Sequence, residues 1–223
     1  MTNDRFTALS LRVQKRARTR QALVDALLPL LSERALEDIA ISELCSSAGI
    51  SQATFFNYFP NKPALLTFFI RVWSLRVSAL AVDIIAEHDS SLRAIEALLA
   101  HTAAQTAEAP NIMLEIIAHQ ARMTPDTPLP PVELPDRYLL LPDVEDVMAL
   151  SDEGLGGVLP ILLAGAAARG EIPPGSDIPS LTLAVASVFF GVPLALGRSR
   201  AAMVGPAYQQ QLQLVWTAAR GVS

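Results

Sequence analysis

A glycine-containing turn between two short helical segments limits the fold of this chain more than any other feature. Residues 41–51 read ISELCSSAGIS and predict a short helix that ends at Gly49, because glycine takes the left-handed conformation after a helix without steric cost. Ser51 then offers a hydroxyl that can cap the next helix. Two short helices joined in this way are typical of a helix-turn-helix, whose second helix enters the major groove of DNA.

The second helix of this motif is predicted to begin at Gln52 and is rich in aromatic residues. Phe55, Phe56 and Phe59 recur at spacings of three and four, so two or three of them are expected to anchor the helix on its neighbours. The remaining side chains then point outward, and Gln and Asn are residue types that pair bidentately with adenine. This predicted outward-facing set, a short polar face that suits base edges, is Gln52, Ala53, Thr54, Asn57 and Tyr58. The alternative is an aromatic-rich core turn that binds no ligand.

Basic residues are concentrated at the N-terminus of a chain whose net charge is −5. Six cations and no carboxylate lie between Arg5 and Arg20. Residues 1–62 hold eight Lys and Arg against six acids, whereas residues 63–223 hold nine against sixteen. A basic arm that leads an acidic body favours a phosphate-binding N-terminus, and a solvated terminal tail is the alternative.

Residues 20–66 resemble the N-terminal DNA-binding domain of the tetracycline-repressor (TetR) family, above all in the stretch ISELCSSAGISQATFFNYFPNKPALL. The positions that meet the family pattern are Leu44, Cys45, Ala48, Gly49, Ile50, Thr54, Phe55 to Phe59, Lys62, Leu65 and Leu66. The resemblance implies a homodimeric, usually repressing transcription factor. Such a protein binds a double-stranded DNA operator and is released by a small-molecule effector held in a larger helical C-terminal domain.

The resemblance also implies roles for single residues. Gln52, Ala53 and Thr54 fall where the family reads bases. Lys62 falls on the phosphate-contacting lysine of the family, and the hydroxyl of Tyr58 can reach a phosphate in place of a histidine. The family's phosphate-binding tyrosine is replaced by Phe56, and Asn57 replaces an aromatic residue, which creates a possible base contact. The predicted DNA-binding set is completed by Arg18, Arg20, Ser42 and Ser51.

Helical periodicity and a composition dominated by Ala and Leu predict an all-α fold. We expect residues 1–62 to form the arm and a three-helix DNA-binding domain, and residues 63–223 to form a helical domain for effector binding and dimerisation. Six prolines between residues 125 and 142 exclude one continuous helix there. A loop with a short helix near Pro135 to Leu141 is expected instead.

The helices after residue 62 are rich in Leu, Ile, Val and Met but contain scattered polar and aromatic side chains. This mix is typical of a pocket for an apolar or aromatic small molecule. We expect that pocket between the helices of residues 62–122 and the helix of residues 153–169. Its predicted lining is Trp73, His101, Thr102, Gln105, Met113, Ile117 and His119. Core packing without a ligand is the alternative for each of these residues.

Residues 178–197 contain no charge, which raises two alternatives. A run of this length can span a bilayer, so a membrane-associated helical protein with a DNA-binding head is one of them. Pro179 and Pro193 favour the other, a helix buried between its own core and a second subunit. The apolar stripes of this segment and of residues 206–220 predict a dimer interface at Leu181, Val185, Val188, Phe189, Val192, Leu212, Val215 and Trp216.

No catalytic or metal site is indicated by the sequence, so neither an enzyme nor a cofactor is expected. His88, His101 and His119 are isolated, without metal-ligand spacing or a neighbouring nucleophile. The single cysteine, Cys45, excludes an internal disulfide framework and fits a reducing compartment. The first twenty residues lack the apolar segment of a signal peptide. We therefore expect a cytoplasmic DNA-binding dimer that responds to a ligand.

Overall fold

The computed structural model describes residues 4–124 and 129–221, and helix is the only regular secondary structure in these ranges. The predicted all-α fold is therefore confirmed. Four residues of the predicted Pro-rich loop, 125–128, lie outside the described residues.

The N-terminal part of the described chain is a series of helices that ends in a long one. These elements are α1 (Asp4–Thr7), α2 (Leu11–Glu33), a 3₁₀ turn (Leu36–Asp38), α3 (Ile41–Ser47), α4 (Gln52–Tyr58) and α5 (Lys62–Glu87). Helix α2 begins at Leu11 and so includes Arg12 to Arg20 of the basic arm. Most of the basic arm is therefore part of a helix.

The C-terminal part consists of longer helices joined by short turns and one extended segment. Its elements are α6 (Ser91–Glu108), α7 (Pro110–Arg122), α8 (Leu134–Leu140), α9 (Leu155–Ala168), α10 (Ile178–Leu196), a 3₁₀ turn (Arg198–Met203) and α11 (Val204–Ala219). Helix α8 confirms the short helix predicted within the Pro-rich segment. We call α1 to α4 the head and α6 to α11 the body.

Two hydrophobic clusters form the interior, and α5 contributes to both. Its first half, from Leu65 to Leu75, packs with α2, α3 and α4. Its second half, including Val77 and Ile84, packs with α6, α9, α10 and α11. The head cluster also includes Val132 from the segment that follows α7. The division of the chain at residue 62 into two functional domains stays a prediction.

Side-chain caps fix where several of these helices begin. Ser51 Oγ accepts a hydrogen bond from the Thr54 N–H at 3.1 Å, and Asn61 Oδ1 accepts one from the Ala64 N–H at 2.8 Å. The cap predicted at Ser51 is confirmed, and Asn61 caps α5 in the same way. Each cap satisfies a backbone donor that has no partner within its own helix.

Glu171 joins the end of α9 to the start of α6. Gly170 turns the chain at φ +72°, and the Glu171 carboxylate accepts hydrogen bonds from Ser90 Oγ (2.6 Å), the Ser91 N–H (2.8 Å) and the Leu92 N–H (3.0 Å). Burial alone would raise the pKa of Glu171, but these hydrogen bonds outweigh it and leave the pKa below its ordinary value. The anion thus caps the positive end of α6 and holds two body helices together.

Two described helices, α5 and α10, are long and apolar enough to cross a membrane by length and composition alone. The apolar window of α5 is 67% buried within the chain, so α5 passes this test as a core helix. The window of α10 is only 22% buried. The exposed apolar side of α10 is therefore the one that needs a covering surface.

Candidate nucleic-acid interface and effector pocket

The turn between α3 and α4 has the geometry that its sequence predicts. Gly49 adopts φ +65°, and the Ile50 N–H donates to the Cys45 carbonyl at 2.9 Å, which closes the end of α3. Beyond the turn, the Ser51 cap starts α4. A side chain at position 49 would be strained by this backbone conformation, so glycine is required there.

Helix α4 separates a buried aromatic side from an exposed polar side. Phe55 and Phe59 are fully buried in the head cluster. On the other side, Gln52, Ala53 and Asn57 are exposed. The two remaining members of the predicted outward-facing set, Thr54 and Tyr58, are half-buried, and Ser42 is exposed at the start of α3. The predicted reading face is thus accessible to a partner.

Phe56 also lies on this exposed face, at the position where the resemblance to the TetR family places a phosphate-binding tyrosine. Its ring is 51% exposed and meets Phe55 edge to face, with 5.4 Å between the ring centroids. An exposed apolar ring on such a helix can contact a thymine methyl group.

Lys62 is already fully hydrogen-bonded within the head. Its Nζ donates to the carbonyl oxygens of Leu36 (2.7 Å), Glu37 (2.9 Å) and Ile39 (2.6 Å). An ammonium group has three protons, so these three contacts use all of its donors. The predicted phosphate contact of Lys62 therefore needs correction, because this lysine closes the 3₁₀ turn that precedes α3.

The basic residues of α2 divide into an exposed set and one buried member. Arg12, Lys15, Arg16 and Arg18 are exposed. Arg20 is only 4% exposed, and its Nη1 donates to Asp136 Oδ2 at 2.8 Å. The prediction that Arg20 contacts DNA is thus wrong for this structure, because its guanidinium lies inside the protein.

The burial of the Arg20–Asp136 pair perturbs both groups. Loss of solvent raises the pKa of Asp136 to about 6, although Arg20 and the Glu133 N–H oppose the shift. Burial likewise lowers the pKa of Arg20, against the attraction of Asp136. The Coulomb attraction is therefore largely offset by desolvation, as in other buried ion pairs.

A cleft lies where α5, α6 and α7 meet the head. Its volume is about 240 Å³, and Leu28 of α2 forms part of its wall. Three of the predicted effector residues, Trp73, Gln105 and Met113, line it. The remaining lining residues are Phe69, Arg76, Thr106, Glu108, Ala109, Ile112 and Ile116. Helix α9 contributes none of the lining, so its predicted place in the pocket is wrong for this cleft.

Four predicted effector residues lie outside the cleft wall. Thr102 is fully buried and donates to the Leu99 carbonyl, and Ile117 packs against the body cluster. His119 hydrogen-bonds the Thr67 hydroxyl at 2.8 Å. Burial, helped by Arg122, lowers the pKa of His119, which favours its neutral form. His101 reaches the cleft only through Gln105.

A chain of hydrogen bonds orients the polar side of the cleft. The Trp73 indole N–H donates to Gln105 Oε1 at 3.1 Å, and Gln105 Nε2 lies 3.2 Å from His101 Nε2. Because the amide nitrogen can only donate, His101 Nε2 is the acceptor in this contact. These contacts fix the amide of Gln105 beside the indole ring.

The outer sides of α10 and α11 form an apolar surface, but half of the predicted dimer residues do not belong to it. Val185, Phe189, Leu212 and Trp216 are fully buried in the body cluster, so their assignment to the interface is corrected. Leu181, Val188, Val192 and Val215 are half-buried. The exposed apolar side chains are ones the prediction missed: Leu183, Leu194, Met203 and Leu214.

A groove connects the outer sides of these two helices. It is lined by Ser187, Val188, Gly191, Val192, Ala195, Leu196, Ala207 and Gln211. Small residues in this groove leave room for a side chain from a facing surface. In the described ranges, no group of three or more His, Cys, Asp or Glu lies close enough to hold a metal ion.

The sequence of the N-terminal part matches the model of a known family. The model for "Bacterial regulatory proteins, tetR family" matches residues 23–67, which include α3, the turn and α4. Regulators of this family bind DNA and are not enzymes. Comparison with curated protein sequences gives no match.

Solved structures with the same fold cover nearly the whole chain. FadR from Bacillus subtilis, solved with stearoyl-CoA, has a TM-score of 0.64 at 15% identity, covering 91% of this chain and 99% of its own. FadR from Thermus thermophilus, solved with lauroyl-CoA, has a TM-score of 0.61 at 19% identity, covering 90% and 92%. RolR in complex with resorcinol has a TM-score of 0.60 at 19% identity, covering 93% and 94%. At these identities the likeness shows the fold alone.

Replacing Lys62 tests its position in the head. Lys62→Ala leaves the carbonyls of Leu36, Glu37 and Ile39 without their partner, so we expect the free energy of unfolding to fall by about 1–3 kcal/mol. Urea denaturation measures this change. Lys15→Ala, on the exposed side of α2, is the control and should change stability by less than about 0.5 kcal/mol. Equal stability of the two variants would contradict the assignment.

Proposed function

We propose that this chain, whose N-terminal domain is that of the tetR family of bacterial regulatory proteins, is a ligand-responsive transcriptional repressor. It binds a near-palindromic operator as a cytoplasmic homodimer and is released by a small molecule. The observation that carries the proposal is α4, a short helix capped by Ser51 with a buried aromatic side and an exposed polar side. This is the arrangement of a helix that docks in the major groove.

Two sets of residues divide the work of binding DNA in this proposal. Gln52 and Asn57 read base edges, because their amides can pair bidentately with adenine. Arg12 and Lys15 are exposed at helical spacing on α2 and contact phosphates. The phosphate contacts replace the one first predicted at Lys62, whose donors are occupied within the head.

Selection of bound sequences from a random duplex pool tests the repressor proposal. We expect a near-palindrome with half-sites about 34–36 Å apart, because a dimer presents two α4 helices. Gln52→Ala should weaken operator binding by about 1–3 kcal/mol and leave random-duplex binding unchanged. The matched variant Lys15→Ala should weaken both complexes and lower the salt slope by about one per subunit. A pool without an enriched sequence would remove the proposal.

The cleft beside Leu28 is the proposed effector site. Its apolar walls and the fixed amide of Gln105 suit a flat aromatic molecule with one or two polar groups. Its volume of about 240 Å³ exceeds that of a cavity of about 150 Å³ that holds benzene, so a molecule with one or two rings fits. RolR, one of the structural neighbours, was solved with resorcinol.

The location of the cleft suggests how the effector acts. One wall belongs to α2 of the head and the others to α5, α6 and α7. Helix α7 is bonded to the head, since Asn111 Nδ2 donates to the carbonyls of Leu31 (2.7 Å) and Arg34 (2.9 Å). A ligand that favours a wider cleft therefore moves α7 away from α5 and α6, carries α2 with it, and turns the two α4 helices out of register with the operator.

Filling the cleft tests the effector site. Ala109→Trp places an indole in the cleft, whereas Ala104→Trp places one on the exposed side of α6. A panel of one- and two-ring phenols is measured by thermal shift and by release of operator DNA. We expect a phenol that raises the melting temperature of the parent protein and of Ala104→Trp, but not of Ala109→Trp. The same response in both variants would exclude this cleft.

The outer surface of α10 and α11 is the proposed dimer interface. Leu183, Leu194 and Leu214 are each at least 60% exposed, and they flank the groove lined by Gly191 and Ala207. A contiguous apolar surface of this kind marks an interaction site in a soluble protein. A second copy of the chain covers it in this proposal, because an isologous interface is self-complementary. Pro193 within α10 argues against a lipid-facing span.

A charge in the proposed interface should separate the subunits. Leu194→Glu places a carboxylate in each half of a two-fold interface, so we expect monomers by size exclusion with light scattering in detergent-free buffer. Ile161→Glu is the matched control, because Ile161 is equally exposed but lies on α9. It should remain dimeric. A dimer that survives Leu194→Glu would move the interface elsewhere.

A further inference from the structure

Residues 131–152, which we call the strap, lie between the body helices α7 and α9 in the sequence. In the structure, however, the strap packs on the head. Its helix α8 lies against α2, and α1 packs on α8. Val132 and Leu150 are buried in the head cluster. The strap therefore covers a side of the head that the helix-turn-helix alone would leave exposed.

Arg20 is the residue on which the strap and the head converge. Its Nη1 pairs with Asp136 at 2.8 Å, and its Nη2 donates to the Pro131 carbonyl at 2.6 Å. The guanidinium also lies over the ring of Phe68, 4.0 Å from its centroid, and 6.0 Å from that of Phe59. Phe59 ends α4 and Phe68 lies on α5. The side chain of Arg20 thus contacts the strap, the residue that ends α4, and α5.

The far end of the strap is fastened to α5. Arg71 Nη2 donates to Asp152 Oδ2 at 2.6 Å, and Arg137 Nη2 lies 3.5 Å from the same oxygen. Arg137 Nη1 also donates to the carbonyls of Val147 (2.9 Å) and Leu150 (2.7 Å), which holds the loop of the strap closed. A movement of the strap is consequently transmitted to both α2 and α5.

We propose that the Arg20–Asp136 ion pair is a positioning contact that sets the orientation of α4 relative to the body, and thereby operator affinity, without touching DNA. The inference rests on the proposed function, because it takes α4 as the operator reader. A buried ion pair contributes little net stability because desolvation offsets its Coulomb attraction, whereas the loss of one partner leaves an uncompensated charge in the interior. Arg20 and Asp136 are 4% and 3% exposed, so neither can reach a phosphate.

A phosphate-binding role for Arg20 makes the opposite prediction for Asp136. If Arg20 left Asp136 to bind DNA, Asp136→Asn would free the guanidinium and remove a negative charge, and DNA binding would tighten. The positioning role predicts that the same variant weakens operator binding. The sign of the change therefore separates the two roles.

Operator and random-duplex affinities are measured across a salt series for Arg20→Met, Asp136→Asn and the double variant Arg20→Met/Asp136→Leu. We expect each single variant to weaken operator binding by about tenfold or more, with an unchanged salt slope. The double variant replaces the pair by apolar side chains, keeps the fold and loses no more affinity than the worse single variant. Glu145→Gln, which removes the same charge from an exposed position of the strap, is the control and should bind as the parent does.

Tighter binding by Asp136→Asn, or a salt slope lowered by Arg20→Met, would overturn the proposal. A loss of operator affinity in the double variant that equals the sum of the two single-variant losses would also overturn it, because the effects of substituting two residues in direct contact are not expected to add.

A measurement without DNA separates this inference from the proposed function. Cys45→Ala removes the single native cysteine, and Ser47→Cys in the head and Glu87→Cys at the end of α5 introduce two exposed ones for nitroxide labels. The distance between the two labels reports the orientation of the head relative to α5. Doubly labelled chains are diluted with unlabelled ones, and distances are measured by pulsed electron resonance. We expect one narrow distribution in the parent and broader ones in Arg20→Met and Asp136→Asn. Unchanged distributions overturn the positioning role, whereas broadening in a protein that selects no operator removes the repressor proposal alone.

Discussion

Helix α5 passes through both hydrophobic clusters, and the relation of head to body depends on this one element. Its 26 residues extend about 39 Å, and they supply buried side chains first to the head and then to the body. A helix packed along its whole length behaves as a rigid link. A change in the orientation of the head must therefore alter the contacts that α7 and the strap make with it beside α5. The cleft at Leu28 lies among these contacts.

Besides the apolar contacts of Val132 and Leu150 with the head cluster, those side contacts include polar ones. The Arg20–Asp136 and Arg71–Asp152 pairs and the Asn111 amide each join a body element to the head or to α5. Directional contacts of this kind specify one arrangement without adding much net stability. A ligand with a modest preference for another arrangement can then shift the population, which is what an effector-controlled regulator requires.

Local signals in the sequence predicted the local structure of the site. Gly49, Ser51 and Asn61 act within a few residues of their own position, and the structure places each as its residue type predicts. Contacts between distant segments could not be predicted in this way. Arg20 lies 116 residues from Asp136, and the pattern of a basic arm indicated DNA rather than a buried partner. Helical spacing also left open which apolar side of α10 faces the body, so Leu183 was missed and Phe189 was assigned outward.

The structure of the chain bound to its selected operator tests the central claim most directly. The account predicts α4 in the major groove with Gln52 and Asn57 at base edges, while Arg20 stays paired with Asp136 inside the protein. An operator complex in which Arg20 leaves Asp136 for a phosphate, or in which α4 lies outside the groove, would contradict it.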